Sequence, residues 1–396
     1  MKKLLLLCSI FFGIGFMADA QTFIERIDTG NGDFVQQSIA QLVGGDYVVA
    51  GTQSPGLSGG TDVKLLRIDN TGSVVWSKNF DSGGTDSFVG SIIVGEGNEI
   101  ALTGYVGINN GPKDLLITKI DSNGNLLAEL TLNDPAATGF GYQLYGTDIV
   151  QKENGDYLVV GIGTDFITAG SPKYNFVLSV DHNLNGFTSF TPQINEGNFF
   201  NQSNNSFNSI TKVPSDVSPN GQEMFLLTGT TTDALGFSEG FMTLIDGNGV
   251  ASWSQSYNGE ASHQNGGMAI FNPSTSLFYV TYPWIEGQLE TLTVDFTSGN
   301  IIDSYFIYAP DENLVSMLLN GMVLDTHTND TSIAYSAFMF NSQFDTGIGR
   351  HMAFSIDYDN SNATINWQQL YRSEFSIADV LNVNFDFYWF TAKPSY

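Results

Sequence analysis

Six aspartates recur in one local setting, and calcium binding is the chemistry that setting suggests. Asp69-Asn70-Thr71-Gly72 and Asp121-Ser122-Asn123-Gly124 place an acid three residues ahead of a glycine, and Asp181, Asp246, Asp295 and Asp357 open comparable turns. Clustered Asp and Asn oxygens are calcium ligands, but these turns lack the later acidic ligands and the closing Glu of an EF-hand loop. The same residues make good turns, because Asp bonds its own backbone and Gly supplies positive φ. The reading is therefore structural, with no cofactor beyond calcium held loosely. The four histidines, His182, His263, His327 and His351, show no paired metal spacing such as His-x-x-x-His and read as loop or surface residues. No serine sits in a recognisable nucleophile motif on a strand-to-helix turn, so no nucleophile, and no catalytic or metal-binding residue, is assigned. Carboxylates are too numerous, at 41 Asp and Glu, for one acid/base pair to stand out. Aromatic residues between apolar runs remain: Phe199 and Phe200 in one link, Tyr282 and Trp284 in another. Rings in such positions stack on sugar rings and apolar side chains. These four are the expected ligand contacts.

The elements that must position them come from a repeat. A turn rich in Gly, Asn and Asp, followed by a β-branched or aromatic run ending in a small residue, reads Gly45-Asp46-Tyr47-Val48-Val49-Ala50-Gly51 in its first copy. Later copies end at Gly104, Gly161, Gly229, Tyr282, Ala337 and Ala392, spaced by 53 to 68 residues. A second phrase follows the first six copies, as in Leu65-Leu66-Arg67-Ile68-Asp69-Asn70-Thr71-Gly72-Ser73-Val74-Val75-Trp76, where two apolar runs flank a short turn in the manner of a hairpin. A third run precedes each copy, such as Ser38-Ile39-Ala40 and Ser91-Ile92-Ile93. Each unit thus holds four strands, here called a to d.

Four-stranded units without helical periodicity read as propeller blades, each covering both faces with its neighbours. The expectation is an all-β, single seven-bladed β-propeller whose tryptophans pack between blades. Its last blade looks incomplete: the copy from Tyr388 to Ala392 reads as a strand b, with no c–d hairpin after it. Phe23 to Asp28 resembles a strand d and is expected to close that blade from the N-terminal side. The shortfall suggests a C-terminally incomplete copy of a seven-bladed chain.

The wording of these units, Gly45-Asp46-Tyr47-Val48-Val49-Ala50-Gly51, Ile120-Asp121-Ser122-Asn123-Gly124-Asn125-Leu126 and Trp76-Ser77-Lys78, resembles the bacterial secreted β-propeller repeat, the SBBP-type family. The resemblance is strong over residues 30 to 165 and degenerate after 260. It implies an extracellular or cell-surface protein of Bacteroidetes-type bacteria, in a family mostly without assigned activity. Asn70-Thr71-Gly72-Ser73-Val74-Val75-Trp76 also resembles repeats of quinone-dependent propeller dehydrogenases. Those carry a calcium site and usually a vicinal cysteine pair, whereas this chain has one cysteine, Cys8.

Residues 1–20 read as a signal peptide: Lys2 and Lys3, an apolar run from Leu4 to Met17, then Ala18-Asp19-Ala20 as a small-x-small cleavage site. Residues 21–396 would be the propeller, secreted or displayed on the outer cell surface, with no transmembrane segment and acting as a monomer. A net charge of −27 argues against nucleic-acid partners, whose phosphates require Lys and Arg. The a–b and c–d turns are short while the b–c and d–a links are long, and in a propeller these links share one face. The expected function is a binding or scaffold module, its ligand a glycan or protein met at that loop-rich face. The alternative is a polysaccharide-active hydrolase or lyase using loop carboxylates; a non-enzymatic role is preferred.

Overall fold

The structure is a computed structural model that describes residues 33–54, 60–80, 86–107, 113–132, 143–164, 173–190, 206–232, 238–257, 267–283, 288–308, 316–324, 332–340, 349–359, 362–372 and 392–393. Within them the chain forms six antiparallel four-stranded sheets in sequence order. Blade 1 takes strands a to d from Asp33–Gln41, Tyr47–Ser54, Asp62–Ile68 and Val74–Phe80. Blade 2 uses Asp86–Val94, Ile100–Gly107, Lys113–Ile120 and Leu126–Leu132, and blade 3 uses Gln143–Gln151, Tyr157–Thr164, Lys173–Val180 and Phe187–Phe190. Blade 4 comprises Ser206–Val213, Met224–Thr232, Ser238–Asp246 and Ala251–Tyr257. Blade 5 comprises Met268–Asn272, Leu277–Pro283, Gln288–Asp295 and Ile301–Tyr308, and blade 6 Ser316–Leu324, Ser332–Phe340, Gly349–Asp359 and Asn362–Arg372. All six expected strands b from blade 1 to blade 6 are present in register. A single 3-10 turn, Glu96–Asn98, is the sole helical element among the described residues.

Strands that are apolar throughout find burial on both faces. Val48, Val49 and Ala50 are consecutive, so they point to opposite faces of blade 1, and all are fully buried. The core is accordingly a series of layers between sheets. One layer joins blades 1 and 2 through Val48, Leu65, Ile92 and Leu102. Others join blades 2 and 3 through Ile117 and Val159, 3 and 4 through Val160 and Phe225, 4 and 5 through Leu244 and Val280, and 5 and 6 through Tyr279 and Tyr335. The face of blade 1 turned from blade 2 is buried as well, at Ile39, Val49, Leu66 and Ile68. Strands a line the axis and touch in series from blade 1 to blade 6.

Two bulges recur. In the c–d hairpin the register shifts at Arg67/Ile68, Lys119/Ile120, Leu244/Ile245, Thr293/Val294 and Ser355/Ile356, which leaves Val75, Leu127 and Ile302 as extra residues exposed on the outer strand. On strand a it shifts between Gln36 and Ser38, Val89 and Ser91, Phe207 and Ser209, and Leu319 and Gly321. At that level inner strands meet closely: a Cβ on Gly90 would stand 2.1 Å from the Gly146 carbonyl oxygen.

One strand expectation is corrected. Ala392 does not pair as a strand b; Ala392–Lys393 lies parallel to strand a of blade 1, opposite Ile39 and Ala40, and also touches strand a of blade 6. A strand b would run antiparallel to its neighbour, so this short strand takes the direction of a strand a. Phe23 to Asp28 and Tyr388 to Phe390 lie outside the described residues. In blade 6, strand c continues through Asp357 to Asp359, so Asp357 sits inside the strand instead of opening a turn.

Candidate functional site

The two ends of the propeller are built differently. At the a–b/c–d end, the repeated aspartates close their own turns. The Asp69 carboxylate accepts from Thr71 N at 2.8 Å, Ser73 N at 2.9 Å and the Thr71 hydroxyl. The same oxygen accepts the amides two and four residues on at Asp121 (Asn123, Asn125), Asp181 (Asn183, Asn185) and Asp246 (Asn248, Val250). Asp295 takes Thr297 N, Ser298 N and the Ser298 hydroxyl. Donors aimed at the ionised carboxylate hold Asp69, Asp121 and Asp295 below the ordinary carboxylate range. The turn oxygens thus serve their own backbone, as expected from their residue types, and among the described residues no three Asp, Glu, His or Cys side chains gather as metal ligands.

The glycine ending such a turn meets two demands. Gly124 and Gly299 have φ of 77° and 71°, and both lie under a tryptophan of the preceding blade: a Cβ would meet Trp76 at 3.3 Å in one case and Trp253 at 2.6 Å in the other. Each indole donates across the joint to the carbonyl just after the turn aspartate, Trp76 to Ser122 O at 3.0 Å and Trp253 to Phe296 O at 2.7 Å. Trp76 and Trp253 pack between blades as expected. Cations reach the same carbonyl position: Arg67 to Ser122 O at 2.9 Å, Lys119 to His182 O at 3.0 Å, Lys152 to Gly247 O at 3.0 Å. His182, expected to be a plain turn residue, belongs to this joint. Its Nε2 lies 3.2 Å from Lys119 Nζ, which can only donate, so Nε2 accepts and Nδ1 carries the proton toward Gly155 O at 3.2 Å.

The opposite end holds the longer connections. Its d–a links run to residues 133–142 and 191–205, whereas c–d turns stay within 69–73 and 181–186. Of the expected ligand contacts, Phe199, Phe200 and Trp284 lie in these links, outside the described residues. Tyr282 is described, and the structure corrects its reading as a ligand contact. It is fully buried, its ring fills the space over Gly240 and Gly267, and its hydroxyl donates to Phe241 O of blade 4 at 3.0 Å. A side chain at the end of strand b faces either solvent or the neighbouring blade, and two glycines across the joint decide the second.

An aromatic platform that sequence reasoning missed stands at this end between blades 2 and 3. Phe88, at the start of strand a, stacks on Tyr105, at the end of strand b, with centroids 4.7 Å apart and planes at 24°. Tyr145, starting strand a of blade 3, meets the Tyr105 ring edge-on at 4.9 Å. All three rings are half-buried, and Lys113 Nζ sits 5.3 Å from the Tyr105 centroid. The Tyr145 hydroxyl donates to the Gln143 side-chain oxygen. Burial, reinforced by Tyr145 and Asp86, pushes the Tyr105 phenol up to about 12, and burial raises the Asp114 carboxyl beside Lys113. The three rings form one half-exposed aromatic surface with Lys113 over the Tyr105 ring, while Gln143 and Asp86 beside it are buried and already bonded. The signal was available one residue past the repeated phrase, where Tyr105 follows Gly104.

The axis also opens on the a–b end as a cavity of about 900 Å³. No helix among the described residues is long and apolar enough to cross a membrane.

These features define a β-propeller. No family model and no curated protein matches the chain. Among solved structures it is similar to the periplasmic gluconolactonase of Pseudomonas aeruginosa, at 11% identity with a TM-score of 0.51, covering 87% of this chain and 86% of that one. It is also similar to an α-L-arabinofuranosidase of Fusarium graminearum solved with an iminosugar inhibitor, at 8% identity with a TM-score of 0.50, covering 77% of this chain and 88% of that one. At such identity the likeness concerns the fold.

Proposed function

We propose that the chain is a secreted or surface-displayed propeller of the SBBP type that acts as a binding module, its ligand a glycan engaged at the b–c/d–a end. The observation that carries this reading is the half-exposed Phe88–Tyr105–Tyr145 platform with Lys113 over the Tyr105 ring. Half-buried rings held by neighbouring strands are pre-organised, so little side-chain entropy is lost when a sugar stacks on them. Phe199, Phe200 and Trp284 extend the same end in sequence and are the natural further contacts. The address rests on the signal-peptide pattern of residues 1–20. The test is a glycan array followed by titration calorimetry on the best hit. Tyr105→Ala should weaken binding about tenfold with the melting temperature little changed. Retention of full affinity in Tyr105→Ala and Tyr145→Ala together would refute the platform as the site.

A second reading, a polysaccharide-active hydrolase or lyase, is favoured by one arrangement at this end. Glu290, fully buried at the start of strand c, accepts from the Tyr257 hydroxyl at 2.5 Å, which puts a hydrogen-bonded carboxyl beneath this end. Both solved structures named above are of enzymes, one a lactonase and the other acting on arabinofuranosides. Reducing-end release from a polysaccharide, abolished by Glu290→Gln, would favour it over binding alone.

A further inference from the structure

The cavity on the axis lies at the face away from the aromatic platform, so a ligand held there is independent of the glycan reading. Its wall is the half of strand a that runs from the bulge to the a–b turn, with Ala40, Ile93, Val150, Ile210, Ala269 and Met322 contributed one from each blade. Strand a upstream of the bulges does not line it. The shaft therefore ends where Gly90 and Gly146 bring inner strands into contact, and it opens at the a–b turns.

Four polar side chains of this wall are engaged with neighbouring blades. Ser38 Oγ accepts from Ile92 N at 3.1 Å, Thr147 donates to Phe207 O at 2.8 Å, Ser209 donates to Asp148 at 3.1 Å, and Thr211 donates to Ala269 O at 2.7 Å. The side chains of the shaft thus offer an occupant mainly apolar contact. At the mouth stand Glu96, Glu153 and Asp216, all exposed. Two lysines share the mouth, but both are held: Lys152 by Gly247 O, and Lys212 by Gln151 O at 2.8 Å and Glu223 at 3.1 Å. The Glu153 carboxylate is tied to Ser215 N and its hydroxyl, and Glu96 and Asp216 are the other exposed acids of the mouth.

We propose that this cavity binds an amphiphilic organic cation, an apolar body in the shaft and an ammonium or guanidinium head between Glu96 and Asp216. The volume lies within the range of small-molecule sites, and an apolar wall with a few charged groups at one end is their usual make-up. An anionic amphiphile would meet like charge at the mouth.

The test is calorimetry on the full chain with octyltrimethylammonium, octanoate and 1-octanol as probes. The ammonium should saturate one site and octanoate should bind at least tenfold more weakly. Glu96→Gln with Asp216→Asn should weaken the ammonium about fivefold, as expected for exposed charge pairs, and leave octanol unchanged. Ala269→Leu, which fills the shaft, should weaken both, whereas Tyr105→Ala should change neither. Both rim residues are exposed, so that variant remains folded and decisive even if Ala269→Leu is unstable. No saturable ammonium site, equal affinity for octanoate, or an undiminished response in the rim variant would each overturn the proposal.

Discussion

Tyr282 offers the sharpest test of how the blades are held together, because its position at a strand end also suits a ligand contact. A buried aromatic side chain removes roughly 150–250 Å² from water, worth about 4–6 kcal/mol at 25 cal/mol/Å². Truncation of such rings costs about 3–5 kcal/mol when the surroundings cannot collapse. Here the ring covers Gly240 and Gly267, which have no side chains to move inward, so Tyr282→Ala is expected to cost about 4 kcal/mol. Tyr282→Phe removes one bond, 3.0 Å to Phe241 O, and should cost about 1 kcal/mol. The glycine side gives a reciprocal measurement. A Cβ on Gly267 would stand 2.5 Å from the Tyr282 ring, so Gly267→Ala should cost about 2 kcal/mol by overpacking. In the Tyr282→Ala background that cost should vanish, because the new methyl then fills the vacated space. Urea unfolding followed by tryptophan fluorescence measures all four corners of the cycle. Tyr282→Ala within 1 kcal/mol of the parent, or a Gly267→Ala cost unaffected by removal of the ring, would refute the reasoning.

Asp148→Ala should be among the most destabilising polar substitutions. It orphans the Ile210 amide (2.9 Å) and the Ser209 hydroxyl between blades 3 and 4, at about 1–3 kcal/mol each, and hydrogen exchange at Ile210 should accelerate accordingly. Trp253→Phe should cost about 1 kcal/mol through the lost bond to Phe296 O, read as a lower urea midpoint; no shift would argue against the indole joint. Asp121 and Asp295 are depressed below their free value of 3.8 in the fold, so their stabilisation is complete above that pH and is lost as pH falls through the lower native values. Melting temperature should therefore fall steeply below about pH 4, less so in Asp121→Asn. At the alkaline end the sign reverses: Tyr105 and Tyr335 are raised to about 12, so the fold favours the neutral phenol, and stability is lost as pH rises from 10 through about 12. Absorbance near 295 nm should show these phenols ionising well after the exposed ones.

What the chain discloses locally it discloses well. Asp69, Asp121, Asp181, Asp246 and Asp295 bond amides two to four residues on, so their role needs no knowledge of distant chain. The strands b are equally legible, since Val48-Val49-Ala50 and Leu226-Leu227 are apolar on both faces. Trp76 and Trp253 could be assigned to the joints because a blade has no other place to bury an indole. Tyr282 and His182 were misread because their partners come from another blade. Tyr282 rests on glycines of the link and blade before it, and His182 on Lys119, 63 residues earlier.

The amino-acid sequence alone determined a repeating four-stranded unit, its turns and its two-sided burial, because hydrogen bonds within a turn and alternation along a strand act over a few residues. Only the tertiary structure decided which end-of-strand aromatics stay half-exposed. Tyr282 stands where blade 2 has Gly104, and Tyr105 stands one residue further along, so the two rings leave opposite faces of their strands. Tyr105 meets Phe88 and Tyr145 and stays half in solvent, whereas Tyr282 meets two glycines and disappears into a joint. That choice belongs to the neighbouring blade, whose approach depends on volumes contributed by residues dozens of positions away.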